Sequence, residues 1–170
     1  MSAQQLGGNE VRQSMGRFLT GVAVVTVFQD DSPHGMTVNS LTSVSLDPPL
    51  LLVCMAPRAR TAQAIISEGQ FAVSVLAAGQ EHIARRFATP HEDHFAGLEL
   101  YASDGGNPHI PGVLASIDCS VHAVHTEGDH VIVLGTMLAA TWRDGQPLAF
   151  HSGRFGDYEE RGTDRLPWRF

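Results

Sequence analysis

The sequence predicts a mainly β protein, an antiparallel barrel or sandwich with a few short helices. Many apolar, β-branched runs are joined by turn residues, and the segments with helical periodicity between them are short. No G-x-G-x-x-G follows a strand and there is no Walker loop, so a doubly wound nucleotide-binding sheet is not indicated. The 170 residues, 43% hydrophobic and 17% charged, suit a single domain over residues 1–170, with residues 1–8 and 157–170 as peripheral tails.

An amphipathic helix is predicted near the N-terminus. Asn9 is a candidate N-cap and Gly21 a candidate helix end. The apolar residues between them recur at spacings that place them on one helical face. They are Val11, Met15, Phe18 and Leu19.

Strands and one short helix follow up to residue 69. The β-branched run Val22 to Phe28 predicts a strand, and the turn cluster Asp30 to Gly35 makes it the first half of a hairpin. Leu50 to Met55 predicts a buried strand. Arg58-Ala59-Arg60-Thr61 then opens a helix that ends at Glu68-Gly69.

The next segment predicts a strand over Gln70 to Leu76 and a short helix from Gln80 to Phe87. Residues 103–112 are rich in Gly, Pro, Asp and Asn, so they predict a surface loop.

A long hairpin is predicted after this loop. Ala115 to Thr126 and His130 to Trp142 are strand-like, and Glu127-Gly128-Asp129 between them has the composition of a turn. A last short strand, Leu148 to His151, follows the turn at Asp144-Gly145. The charged tail from Asp157 to Arg169 shows no periodicity except an apolar Leu166-Pro167-Trp168.

Charge, cysteine spacing and hydropathy argue against a nucleic-acid-binding protein, a metal-thiolate protein and a membrane protein. The formal net charge of -7 disfavours non-specific binding to nucleic acid or to an anionic membrane, so any anion must be bound locally. Cys54 and Cys119 lie in apolar runs without metal-ligand spacing and are predicted to be buried thiols. No apolar run approaches the roughly 20 residues of a membrane span and no signal-like start is seen, so we expect a cytoplasmic protein.

Protein-based nucleophiles and metals are both poorly indicated. No serine lies in a G-x-S-x-G elbow, and the nine histidines are scattered without an H-E-x-x-H pair. His122 and His125, three residues apart on a strand, are expected to point to opposite faces. The remaining route to difficult chemistry is a bound organic cofactor, and we expect no metal.

The stretch from Gly35 to Pro49 is where such a cofactor is expected. It carries small hydroxylated side chains and outward-facing backbone N–H groups, which suit a phosphate or a flat polar ring. Turn and capping chemistry is the alternative explanation for the same residues.

The run from His34 to Leu50, with Gly16 to Val22 before it, resembles the short-chain flavin reductases that serve two-component flavin-dependent monooxygenases. The resemblance covers nearly the whole chain in the family's order. It continues through Cys54, Arg60-Thr61, Phe71 to Leu76, Arg86-Phe87-Ala88, Phe95-Ala96-Gly97, Gly128-Asp129-His130 and His151-Ser152-Gly153-Arg154-Phe155.

This resemblance implies an antiparallel split β-barrel of Greek-key type that forms a homodimer, with flavin near the subunit interface. It implies that the protein transfers hydride from NADH or NADPH to FAD or FMN and supplies the reduced flavin to a separate monooxygenase. A non-catalytic flavin- or haem-binding split barrel and an FMN-dependent oxidase of the pyridoxamine-phosphate type remain alternatives.

The same resemblance implies the cofactor-binding residues. In the family, three groups of residues on the flavin side have different roles. The first lines the isoalloxazine and ribityl group, the second offers hydroxyls and backbone amides, and the third approaches the phosphate. These roles fall on Thr37, Val38, Asn39 and Ser40, on Thr42, Ser43 and Val44, and on Arg60 and Thr61, with Cys54, Phe87 and Phe95 beside them. Arg58 and Arg60 are alternatively solvated loop charges, and core packing is expected for at least one of the two phenylalanines.

The nicotinamide side of the site is implied to lie at Asp129 and His130. His130 is the expected catalytic residue because an imidazole can orient a carboxamide or the flavin edge near neutral pH. Asp129 alternatively serves only the hairpin turn. His151, Arg154 and Phe155 are secondary cofactor candidates, with capping of the last strand as the alternative for the first two.

Three positions depart from the family pattern. Ala59 stands where the family often has serine, so a phosphate-side hydroxyl is either missing or supplied by Thr61. Leu41 and Phe155 stand where an aromatic residue and a tyrosine are frequent.

Overall fold

A seven-stranded antiparallel sheet organises the computed structural model, which describes residues 6–90, 93–102, 106–159 and 162. Its strands are β2 (Ala23–Gln29), β3 (Ser32–Val38), β4 (Thr42–Leu46), β5 (Pro49–Met55), β6 (Gln70–Val75), β9 (Ala115–Glu127) and β10 (His130–Trp142). They lie in the order β3-β2-β6-β9-β10-β5-β4. The predicted antiparallel, mainly β class is confirmed.

Smaller elements surround this sheet. β1 (Thr20–Gly21), β11 (Leu148–His151) and β12 (Arg154–Asp157) form a three-stranded sheet, and β7 (Tyr101–Ala102) pairs with β8 (Pro108–His109). The helices are α1 (Gly8–Met15), α2 (Arg60–Glu68) and α3 (Glu81–Ala88), with a 3₁₀ turn at Ala78–Gln80.

The large sheet curls around an apolar core and stays open between β3 and β4, which gives the split-barrel form. Val25, Val53, Phe71, Val73 and Val133, from four different strands, are all completely buried in this core. Helix α2 adds Ile65 and ends at Gly69, whose φ of +69° is the left-handed conformation that glycine adopts without strain. A second cluster, beneath α3 and β11, contains Val24, Leu76, Ile83, Phe87 and Leu148.

The N-terminal helix is shorter than predicted. Gly7, not Asn9, precedes its first turn, and the backbone N–H of Gly7 donates to the Glu10 carboxylate at 2.8 Å. The helix ends at Met15, so Phe18 and Leu19 lie outside it, and the predicted apolar face is exposed on this chain.

The predicted surface loop at residues 103–112 is wrong for residues 107–110, whereas residues 106, 111 and 112 are exposed as predicted and residues 103–105 lie outside the described ranges. Asn107 to Ile110 are buried against the outer face of β2, β6 and β9. His109 Nε2 lies 3.0 Å from Asp118 Oδ1, Tyr101 stacks on the His109 ring, and the Thr26 hydroxyl donates to the Pro108 carbonyl. Thr26 and Pro108 lie 82 residues apart and His109 and Asp118 nine residues apart, so the composition of the loop alone gives no sign of these contacts.

Three smaller predictions also need correction. The turn before β3 is only Asp30-Asp31, both with positive φ, so β3 begins at Ser32. The segment after His151 contains the strand β12, which pairs with β11. Cys119 is buried as predicted, but Cys54 is half-buried because it lies on the outer face of β5.

Within the described ranges, no helix is both long and apolar enough to cross a membrane. The same residues contain no group of three or more metal-ligating side chains.

Candidate active site

The connection between β3 and β4 is held by side-chain hydroxyls. The Thr37 hydroxyl donates to the Ala84 carbonyl of α3 at 2.8 Å. Ser40 Oγ accepts from the Cys54 N–H at 2.9 Å and donates to the Cys54 carbonyl at 3.0 Å. Val38 is buried and Asn39 is exposed. Two of the predicted flavin-side hydroxyls therefore bond the chain's own backbone, and Asn39 is the exposed side chain of this run.

β4 presents a free edge next to this connection. It is the terminal strand of the seven-stranded sheet and pairs only with β5. Its register shifts between Ser43 and Ser45, which leaves Val44 as a bulge residue, and Thr42, Ser43 and Val44 are all exposed. An edge strand offers backbone N–H and C=O groups without strand partners. The hydroxyls of Thr42 and Ser43 and the free backbone N–H groups of β4 can together donate hydrogen bonds to the acceptor atoms along one side of an isoalloxazine ring.

Strand register brings the predicted nicotinamide side, at His130, to the same end of the sheet as Ser40. Cys54 pairs with Ile132 of β10, and Ser40 bonds Cys54 from the other side. Side chains alternate along a strand, so His130 lies on the same face as Ile132, opposite the buried Val131. His130 and Ile132 are about 7 Å apart along β10. The outer face of the barrel therefore holds Ser40, Cys54 and His130 in one neighbourhood.

Asp129 orients the His130 ring. Its carboxylate lies 2.7 Å from His130 Nδ1, and the His130 side chain is 51% exposed. The hydrogen bond with His130, followed by the charge of its imidazolium, holds the pKa of Asp129 below its ordinary value, and Arg12 acts in the same direction. A carboxylate acceptor favours the proton on Nδ1, which leaves Nε2 for a ligand.

The start of α2 follows β5 after a short loop. Arg60 is exposed in the first turn, Thr61 is 5% exposed, and Ala59 at the N-cap makes no side-chain cap. The first backbone N–H groups of α2 therefore lack the hydroxyl that a serine at position 59 would supply. Such a helix start and an exposed arginine are compatible with a phosphate.

Phe87 and Phe95 pack against the β3 backbone. Phe87 is 2% exposed, and the Phe95 ring meets it edge-on with centroids 5.0 Å apart. Gly35 makes this approach possible, because a Cβ there would lie 2.7 Å from Phe87 Cε1. Core packing thus accounts for Phe87, while Phe95 is half-buried.

The last predicted group lies on the separate three-stranded sheet. His151 pairs with Arg154 next to the tight turn between β11 and β12. His151, Arg154 and Phe155 line a cavity of about 580 Å³. Sequence reasoning missed Arg17, which lines the same cavity, and Arg12, which acts on Asp129. Arg17 did lie in the matched run Gly16 to Val22, and this was the only signal for either residue.

The fold and this geometry define an antiparallel split barrel whose outer face offers hydroxyls, an unpaired strand edge and an oriented histidine. Residues 15–159 match the family described as flavin reductase like domain, and the chain belongs to that family. The family predicted from the sequence is confirmed.

Named relatives extend over almost the whole chain. The reductase subunit HsaB of a flavin-dependent monooxygenase from Mycobacterium tuberculosis is 38% identical over 99% of this chain and 91% of its own length. The FMN reductase (NADH) SmoA of Agrobacterium fabrum is 43% identical over 88% of this chain and 86% of its own. The NADH:FAD oxidoreductase SgcE6 of Streptomyces globisporus, solved with NAD and FAD fragments, is 39% identical. It superimposes with a TM-score of 0.86 over 95% of this chain and all of its own.

Proposed function

We propose that this chain is an NADH-dependent flavin reductase that supplies reduced FAD or FMN to a separate monooxygenase. The observation that carries the proposal is the near full-length similarity to a monooxygenase reductase subunit and to NADH-dependent reductases of FMN and of FAD. The predicted enzyme class, cofactors and activity agree with those relatives. The proposal takes residues 1–170 as one domain with peripheral tails at 1–8 and 157–170, in the cytoplasm.

Flavin, when bound, supplies the acceptor for the hydride of reduced nicotinamide. The chain's own part is binding and orientation. We assign the flavin-side hydrogen bonds to the exposed groups of β4, namely Thr42, Ser43 and the backbone at Val44. We assign the nicotinamide side to His130, whose Nε2 can donate to or accept from a carboxamide while Asp129 holds Nδ1.

The remaining predicted site residues stay part of this proposal with more limited roles. Thr37, Val38 and Ser40 shape the wall, and the hydroxyls of Thr37 and Ser40 hold it together. Arg60, with Thr61 behind it, is assigned to a phosphate at the start of α2. Phe87 supports Phe95 from below.

Homodimer formation belongs to the same proposal. Several large apolar side chains of β4 and β10 are exposed on the single chain, among them Leu46 at 70%, Leu138 at 64% and Trp142 at 80%. Apolar surface of this kind is typical of an interaction face. Light scattering after size-exclusion chromatography is expected to give twice the chain mass of 18.3 kDa, and a single chain mass contradicts this part.

The activity is tested by following NADH oxidation at 340 nm while free FAD or FMN is varied. The rate is expected to rise and saturate with flavin, because a product that must leave is bound reversibly. A rate that does not change with added flavin would refute the diffusible-substrate proposal. Parallel assays with NADPH test the preference for NADH.

The assignment of His130 is tested separately by His130→Ala. We expect kcat/KM for NADH to fall by at least about tenfold, with little change in the flavin dissociation constant. His82→Ala removes an exposed histidine from α3 and serves as the matched control. If the His130→Ala and His82→Ala proteins have the same NADH kinetics, His130 is not at the nicotinamide side, although the reductase activity stands.

A further inference from the structure

The segment of residues 93–98, named here the Phe95 turn, is held beside α3 and β3 without strand pairing. Within the turn, the Leu98 N–H donates to the Phe95 carbonyl at 3.0 Å, and the Phe95 N–H donates to the Asp93 carboxylate at 3.2 Å. The Phe95 ring packs edge-on against Phe87 of α3. Its place on the protein is then fixed by two side chains that bond backbone carbonyls.

His94 is the first of these side chains. It is half-buried, and both of its ring nitrogens lie against backbone carbonyls. Nε2 is 2.8 Å from the carbonyl of Thr89, the residue that caps the end of α3, and Nδ1 is 3.2 Å from the carbonyl of Gly35 in β3. The ring therefore bridges the end of a helix and a terminal strand of the large sheet.

The two contacts of this His94 bridge require a particular protonation state. A carbonyl oxygen can only accept, so each ring nitrogen has to donate. A neutral imidazole carries one N–H in either tautomer, whereas an imidazolium carries two. Both hydrogen bonds therefore exist together only in the protonated ring, and the loss of one proton breaks one of them.

Arg86 of α3 is the second side chain, and its contribution does not depend on pH. Its Nη2 donates to the Asp93 carbonyl at 3.1 Å and also to the Ala96 carbonyl. A guanidinium stays charged throughout the pH range in which proteins are studied. When His94 loses a proton, the Phe95 turn is thus expected to loosen on the side of β3 while Arg86 still holds it to α3.

The other charged or titratable groups around the bridge have different contacts. Asp93 accepts from the Phe95 N–H, and Arg85 pairs with Glu81. On the described elements that pack here, these groups are His34 on β3, Asp93 in the turn, and Glu81, His82, Arg85 and Arg86 on α3. Of the described residues of the turn, His94 is the one that both titrates near neutral pH and bonds β3.

The bridge lies next to the part of β3 that leads into the flavin side. Thr37 is two residues after Gly35 on the same face of the strand, and its hydroxyl bonds the Ala84 carbonyl of α3. β3 then continues into the connection that carries exposed Asn39. Loss of the bond to Gly35 therefore weakens the support of both Phe95 and the β3 backbone beside the assigned flavin site.

We propose that His94 is a positioning residue, whose imidazolium holds the Phe95 turn on β3 and thereby strengthens flavin binding. The second half rests on the proposed function, since Phe95 and the end of β3 belong to the site assigned to flavin. Histidine ordinarily changes charge between about pH 5 and 8. The native contacts favour the protonated ring, so their stabilising effect is complete at the acidic end of this range and is lost as the pH rises.

Nuclear magnetic resonance of the full chain, labelled with ¹⁵N-histidine, tests the protonation state directly. His94→Gln removes the His94 signals and so assigns them. Both ring nitrogens are expected to carry protons at about pH 5.5, and only one at about pH 8.5. A neutral His94 ring at the lower pH, or a doubly protonated ring at the higher pH, would overturn the proposal.

Hydrogen exchange at the amides of Phe95 and Leu98 tests whether the ring holds the turn. His94→Lys supplies a permanent cation with three N–H donors, and His82→Gln, at an exposed histidine of α3, is the matched control. At about pH 8.5 the wild type is expected to exchange about tenfold faster than His94→Lys, the effect of one hydrogen bond from a charged donor. At about pH 5.5 the two should agree, and His82→Gln should follow the wild type at both. Equal exchange of the wild type and His94→Lys at both pH values would refute the bridge.

Flavin binding is measured with FAD, whose pyrophosphate keeps its charge over this pH range. The FAD dissociation constant of the wild type, divided by that of His94→Lys, is expected to rise by up to about tenfold between the two pH values. A ratio that does not change with pH refutes the positioning role in flavin binding. A chain that passes the resonance and exchange tests but does not oxidise NADH with added flavin contradicts the proposed function and leaves the His94 bridge intact.

Discussion

Gly35 lies where β3 passes directly beneath two aromatic rings, so adding one methyl group there probes how tightly this part of the molecule is packed. In Gly35→Ala, the new Cβ would lie 2.7 Å and 3.0 Å from Phe87 Cε1 and Cδ1, and 3.0 Å from Phe95 Cζ. Carbon atoms in favourable contact are about 3.5–4.0 Å apart. The closest contact is therefore too short by about 1 Å, and a ring or the strand has to move.

The rings have little room to move. Phe87 is 2% exposed, and its ring meets Phe95 at 5.0 Å and His94 at 5.2 Å between centroids. A His94 ring nitrogen also lies 3.2 Å from the Gly35 carbonyl. Overpacking of this kind costs about 1–3 kcal/mol, and the lower entropy of the unfolded alanine chain returns about 0.4–1 kcal/mol. We expect Gly35→Ala to lose about 1–2 kcal/mol of unfolding free energy.

Urea denaturation followed by circular dichroism measures this loss. Gly21→Ala is the matched control, because a Cβ at Gly21 meets no atom within 4 Å. Phe87→Leu is expected to cost less in the Gly35→Ala protein than in the wild type, since it removes the clashing ring. If Gly35→Ala is as stable as Gly21→Ala and the two substitutions are additive, the close packing of Phe87 on β3 is refuted.

Three other predictions concern the hydroxyl bridge, the buried histidine and the buried thiol. Ser40→Ala removes both bonds to Cys54 and is expected to cost about 1–2 kcal/mol in urea unfolding, whereas the exposed Ser43→Ala should cost under about 0.5 kcal/mol; equal losses would contradict the bridge. Asp118→Ala leaves buried His109 without its carboxylate partner and is expected to lower the free energy of unfolding by about 3 kcal/mol. Asp118→Asn is expected to lower it by less. A loss below about 1 kcal/mol for both variants would refute a stabilising role for the His109–Asp118 contact. Burial, and then the Asp118 charge, raises the pKa of the Cys119 thiol from 9.0 to about 12. Between pH 9 and 12 the unfolded chain releases this proton and the native chain keeps it, so stability falls by about 1.4 kcal/mol per pH unit. Cys119→Ala should remove that slope relative to Cys54→Ala, and parallel stability-against-pH curves for the two variants would show that the thiol is not so buried.

Much of the fold was predictable because its strands have strong local signals. β-branched runs bounded by turn-rich clusters place β2, β9 and β10, and the glycine at position 69 marks the end of α2. The split barrel and the cofactor type came from the motifs shared with the family rather than from periodicity. The N-terminal helix was overextended because apolar spacing continues past Gly16, where the chain turns toward Ser152.

The candidate site was predictable as a set of residues but not as a set of roles. The sequence shows that the stretch from Thr37 to Val44 is rich in hydroxyls, but it cannot show which of them are already bonded. Ser40 is bonded to Cys54, fourteen residues away, and Thr37 to Ala84, forty-seven residues away. Thr42 and Ser43 remain exposed only because β4 is the last strand of the sheet.

The sequence by itself determined the order and type of most strands, the family, and the residues that could carry flavin chemistry. Only the tertiary structure decided that His130 lies on the same outer face as Cys54, that Asn107 to Ile110 are buried, and that Arg17 and Arg154 line one cavity. The physical reason is the range of the interactions. Turn and strand preferences act between neighbouring residues, whereas register, burial and the pairing of charges depend on which distant segments the curled sheet brings into contact.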